Sequence, residues 1–134
     1  MRLVCLRALV AAAALSGAAA LFSQISQPQP LSMRLECPGG DCSLLRGAPQ
    51  TTGMRSGFVR LQPGATVGWH TTDKNEESLV ILKGQGEALI EGRPAQKLNA
   101  PGFAYIPPST RHNVLNTGAQ PLEYVYVVAP AAAR

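Results

Sequence analysis

From residue 56 onward, apolar and polar residues alternate in short runs, and Gly, Pro or a polar turn ends each run. Residues 58–61 (FVRL) stop at Pro63-Gly64, and 66–72 follow up to the polar turn Asp73-Lys74-Asn75. The β-branched run 77–83 (ESLVILK) ends at Gly84, and 87–91 (EALIE) ends at Gly92-Arg93-Pro94. Residues 96–98 are brief, 103–106 are closed off by Pro107-Pro108, 112–116 by Thr117-Gly118, and 122–129 (LEYVYVVA) form the last strong run. About eight short strands with frequent turn signals and no helical period predict an all-β sandwich or barrel. Along the last run, period two puts Leu122, Tyr124, Tyr126 and Val128 on one face.

The first 55 residues have a different texture. Arg2 and Arg7 precede the alanine-rich run 8–20, and Ala18-Ala19-Ala20 supplies small residues before Leu21. This is the layout of an export signal over 1–20, too short in its apolar part for the roughly 20 residues of a membrane span. An uncleaved anchor is the competing reading. Residues 21–55 read as an irregular arm before a domain at 56–130 and a tail at 131–134. Of three cysteines, Cys5 falls in the leader, leaving Cys37 and Cys42 around a Pro-Gly-Gly turn. In an exported chain such a pair is expected to bridge as a small structural loop.

Composition changes this picture little. The chain has 134 residues, room for one domain, and its hydrophobic fraction of 46% is inflated by the leader alanines. Lys plus Arg number 12 against 8 Asp plus Glu. The cations beyond the leader are dispersed and form no stripe, so no nucleic-acid partner is expected. With the leader removed, no membrane partner is expected either.

The candidate chemistry lies in the only two histidines, His70 and His112, each on a predicted strand bounded by turn residues. Period two places His70 with Thr72, and Trp69 on the opposite face. Glu77 opens the strand after the 73–75 turn and folds back towards His70, with Glu76 pointing away. Two imidazoles and a carboxylate on three strands suit a metal ion.

These segments resemble the two motifs of the cupin superfamily. The first family motif, G-x5-H-x-H-x3,4-E-x6-G, is matched by Gly64, His70, Thr72 in place of the second histidine, Glu77 and Gly84. The second, G-x5-P-x-G-x2-H-x3-N, is matched by Gly102, Pro107 after four residues instead of five, Ser109 in place of glycine, His112 and Asn116. The resemblance covers about residues 56–129. It implies a double-stranded β-helix, a jelly-roll barrel, with a divalent metal held by His70, Glu77 and His112. Two histidines and one carboxylate suit Fe(II) and leave open positions, and Mn, Zn and Ni are compatible.

Two functions follow as expectations. One is an enzyme of the dioxygenase, isomerase or lyase type acting on a small oxygenated molecule. The other is a non-catalytic module holding a metal or small ligand. No general base stands out, Asp73, Glu76 and Tyr105 being candidates only through nearness in sequence. Lys83 and Arg111 are candidates to approach an anionic ligand, with a solvated role weighed against that. The resemblance further implies a homodimer, and the leader an exported, periplasmic or extracellular protein.

Overall fold

Eight strands and no helix make up the described residues, 27–132, of this computed structural model. They are β1 (Cys42–Arg46), β2 (Arg55–Leu61), β3 (Asn75–Lys83), β4 (Gln85–Ile90), β5 (Gln96–Asn99), β6 (Gly102–Ile106), β7 (His112–Leu115) and β8 (Leu122–Pro130). The leader with Cys5, the arm up to residue 26 and residues 133–134 lie outside the described residues.

All pairings are antiparallel. A five-stranded sheet runs β1-β2-β8-β3-β6, and a three-stranded sheet runs β5-β4-β7. Their inner faces meet in one core, with Leu79, Ile81, Ile106, Leu122 and Tyr124 from the larger sheet against Ala88, Ile90, Leu98 and Val114 from the smaller. Each Leu or Ile taken fully from water there contributes about 1.5–3 kcal/mol. The alternation that predicted the strands is the alternation that fills this core: Leu79 and Ile81 are buried, while Val80 and Leu82 between them are exposed.

Two local expectations change. The sequence 42–46 (CSLLR) gives no periodic signal, yet it forms β1, so part of the arm is regular. It pairs with β2 across a bulge between Ser43 and Leu45. The run 66–72 is not a continuous strand. Gly68 takes a left-handed φ of 89°, and only two isolated bridges remain, Thr66 to Leu115 and His70 to His112. A left-handed residue turns the chain out of the pleat, so a ladder cannot continue through it.

Cys37 and Cys42 are joined by a disulfide, with Cα atoms 5.6 Å apart. The loop lies beside β2, where Asp41 Oδ1 accepts the Arg60 backbone N–H at 2.9 Å. The motif residues away from the histidines are architectural. Gly84 has a φ of 78°, and a Cβ there would collide with the Pro121 carbonyl. Buried Asn116 donates from Nδ2 to the Leu61 and Gln120 carbonyls, and its Oδ1 accepts the Gly118 N–H. One side chain thereby satisfies the backbone of a loop that would otherwise bury unpaired polar groups.

Candidate metal centre

His70 and His112 face each other across the short bridge. Each backbone N–H donates to the other's carbonyl at 2.9 Å. A pair that exchanges both bonds sits directly opposite, with side chains on one face of the ladder. The two imidazole centroids are 4.3 Å apart, with their planes at 57°. Glu77 comes from the other sheet, at the start of β3 on the same inner row as Leu79 and Ile81. Period two sends Glu76 to the outer face, where it accepts a 2.8 Å hydrogen bond from the Tyr105 hydroxyl.

The loops that carry the histidines are stitched together a second time. Ser109 N–H donates to the Asp73 carbonyl at 2.6 Å. Ser109 takes a φ of 57°, in the left-handed region that glycine occupies most easily. The glycine of the family motif at this position therefore answers a backbone requirement, which serine here meets with some strain.

Both rings use Nδ1 in the same way. His70 Nδ1 lies 2.9 Å from the Gly68 carbonyl, and His112 Nδ1 lies 3.0 Å from the Thr110 carbonyl. A carbonyl only accepts, so each Nδ1 carries a proton and each neutral ring presents an Nε2 lone pair. This second contact fixes tautomer and ring direction, as it does for imidazole metal ligands.

Glu77 Oε2 and His112 Nε2 are 3.2 Å apart, and both atoms are fully buried. They approach as an ion pair without hydrogen-bond alignment, and neither has another partner. Burial of His112 disfavours its charged form, but the Glu77 carboxylate and the Thr110 carbonyl outweigh this and raise its pKa above 6.5. Burial, and then the Glu77 charge, hold the Tyr124 hydroxyl well above its ordinary pKa.

Ligand atoms of His70, Glu77 and His112 all lie within 4.8 Å of one another. Two ligands about 2.1 Å from a shared ion lie roughly 3.0–3.4 Å apart at octahedral or tetrahedral angles, so the widest pair of the set closes by roughly 1–2 Å on binding. Two buried polar atoms that meet only each other, without hydrogen-bond alignment, fit a divalent metal beside a preset imidazole pair, because a buried polar group poorly satisfied is costly. The three residues are thus positioned for metal binding.

Thr72 is buried, but its hydroxyl donates to the Asn75 carbonyl at 2.9 Å. Its proton is committed to the turn that leads into β3. A cavity of about 430 Å³ opens beside the group, walled by Val59, Val67, Val114, Tyr124, Tyr126 and Val128. His70, Thr72, Asp73, Glu77 and Arg55 bring polar atoms to it. Of the three acid–base candidates, Asp73 alone lines this cavity. Trp69 is exposed, and the Arg111 guanidinium lies 5.2 Å from its ring centre while pairing with Glu91 at 3.0 Å. Lys83 is exposed at the far end of β3 from Glu77. Arg55 went unnoticed in the sequence. Counting back by twos from Leu61 and Val59 finds it on the inward row.

No curated protein sequence matches the chain. Solved structures show the same fold. The cupin domain of Schizosaccharomyces pombe Cnp3 aligns with a TM-score of 0.61 and 21% identity over 68% of this chain. The alignment covers 64% of the Cnp3 chain, a little under two thirds of its length. A cupin protein from Bacteroides fragilis gives 0.62 and 22% identity, over 81% of this chain and 89% of that one. An RmlC-like cupin from Methanocaldococcus jannaschii, described as a double-stranded β-helix, gives 0.56 and 19% identity, over 66% and 81%. The cupin domain family model matches residues 57–128, more than half of the sequence. The chain belongs to the cupin family.

Proposed function

We propose that this protein is an exported small cupin that holds a divalent metal ion through His70 Nε2, His112 Nε2 and Glu77, and presents it to a small oxygenated molecule in the cavity beside them. The observation that carries this reading is the pair of fully buried atoms, Glu77 Oε2 and His112 Nε2, which have only each other at 3.2 Å, next to two imidazoles whose Nδ1 atoms are already engaged. Bound there, a metal would supply Lewis acidity towards a carbonyl or hydroxyl oxygen. The protein's own contribution is to aim both rings through their Nδ1 contacts, to bury Glu77, and to line the approach with apolar side chains.

A non-catalytic binding module is the second reading, and one observation favours it. Among the described residues lining the cavity, the only carboxylate besides Glu77 is the exposed Asp73, and the Thr72 hydroxyl is held by its own turn. No buried base stands ready for proton transfer.

Export is supported by the leader-like sequence and by the disulfide. Homodimer formation is supported by the outer face of β3 and β6, where Val80, Leu82, Phe103 and Tyr105 are exposed.

Elemental analysis of the protein from Leu21 onward, beside a His70→Ala, His112→Ala variant, tests the metal assignment. About one equivalent of metal in the native chain and none in the variant is expected. Equal content in both would remove these ligands. Oxygen uptake across phenols, keto acids and sugars then separates enzyme from binder, and uptake with none of them counts against a dioxygenase.

A further inference from the structure

We propose that Arg55 is the specificity-determining residue of the cavity, and that its ligand is a small aromatic monoanion whose carboxylate meets Arg55 while an oxygen at its other end reaches the metal site. This deepens the metal-binding reading and rests on it for the second contact.

Arg55 and Glu77 occupy one row of the larger sheet. Both have Val128 as their Cα partner, Arg55 across the β2–β8 ladder and Glu77 across β3–β8. Two strand spacings place their Cα atoms about 9.5 Å apart. An anionic head and an oxygen donor therefore have to be separated by an apolar body lying over Val128. The rest of the wall suits such a body, with Val59, Val114, Tyr124 and Tyr126 around it. Gly57, two residues from Arg55 on the same face, leaves room for Tyr126, because a Cβ there would lie 2.6 Å from its ring and hydroxyl. The Tyr126 phenol is thus brought onto β2 beside Arg55, a flat surface for a ring.

Charge points the same way. Arg34, Arg60 and Arg111 each pair with a glutamate, whereas Arg46, Arg55 and Arg93 have no carboxylate partner among the described residues, and of these Arg55 alone lines the cavity. Its cross-strand neighbour is Arg46, a second cation. Like charges opposed across a ladder are unfavourable, and an anion at the cavity mouth relieves them. Within the cavity a divalent ion, the two carboxylates of Glu77 and Asp73, and the Arg55 guanidinium leave one net positive charge. That is the complement of a monoanion.

Calorimetric titration of the purified protein tests this with 4-hydroxybenzoate, 3-hydroxybenzoate and 4-hydroxyphenylacetate, each against its neutral amide. The acids are expected to bind about 10- to 100-fold more tightly than the amides, the size of a charge-assisted contact to guanidinium. Arg55→Gln should abolish that preference while leaving amide affinity and metal content unchanged. Chelator-treated protein should bind all six compounds more weakly yet keep the acid preference, because the preference belongs to Arg55. Equal binding of acids and amides, binding of none of the acids, or a preference that survives Arg55→Gln overturns the proposal. A preference that vanishes with the metal but not with Arg55 puts the carboxylate on the ion and overturns it too. If the native protein holds no metal and the Arg55-dependent preference persists, the metal reading fails alone.

Discussion

The Thr72 hydroxyl donates to the Asn75 carbonyl, and Asn75 Nδ2 returns a 2.9 Å bond to the Thr72 carbonyl. A histidine at this position would have to give up that closed turn to reach an ion. Thr72→Val is accordingly expected to destabilise the fold by about 1 kcal/mol through the lost hydrogen bond, with metal content unchanged. Thermal melting and elemental analysis of one preparation check both halves.

His112 gives a second prediction at this scale, and its sign depends on the metal. In the metal-free protein its folded pKa is raised above 6.5. The stability it contributes is therefore fully present below the unfolded value and is lost as pH rises through the folded one. A metal ion needs the neutral ring, so stabilisation by metal grows over the same rise. Melting curves between about pH 5.5 and 8.5, with chelator and with added Zn(II), should show opposite contributions from His112. A His112→Asn variant should show neither.

At the scale of elements, strands with full alternation could be read from the sequence, and those held by their neighbours could not. The runs that became β3 and β8 carry their inward apolar rows in plain view. In β1 the five residues CSLLR have no period, and the partner strand supplies their order through a bulged register. β2 begins three residues earlier than its apolar run, because Ser56 Oγ donates to the Tyr126 carbonyl at 2.6 Å and Gly57 lies under the Tyr126 ring. Neither residue is apolar enough to announce a strand. The site divides in the same way. His70, Glu77 and His112 stand at motif spacings, whereas Arg55 joins the cavity only through sheet register. Gly57→Ala is expected to displace Tyr126 at a cost of about 1–3 kcal/mol, the range for overpacking. Combining it with Tyr126→Leu should recover much of the loss. Additive losses in that double-mutant cycle would show that the two residues do not share this space.

At the scale of the whole molecule, β6 ends the larger sheet, and its outer side chains are apolar: Phe103 is 69% exposed, beside Val80 as its cross-strand partner. An apolar face on the last strand of a sheet invites association, and one copy against another is the arrangement we propose. Light scattering should report a dimer for the native protein and a monomer for Phe103→Lys, with the same melting profile after dilution. A native monomer at micromolar concentration would remove the pairing. Among the described residues no helix is long and apolar enough to cross a membrane.

Two imidazoles and one carboxylate, brought together from both sheets, are the shell we propose for a metal. X-ray absorption at the edge of the bound metal reads that shell most directly. Under this proposal two imidazole nitrogens and carboxylate oxygen at about 2.0–2.2 Å, with no sulfur, are expected, and the His70→Ala, His112→Ala variant should give no edge at all. A shell containing sulfur, or one with fewer than two imidazoles, would contradict it.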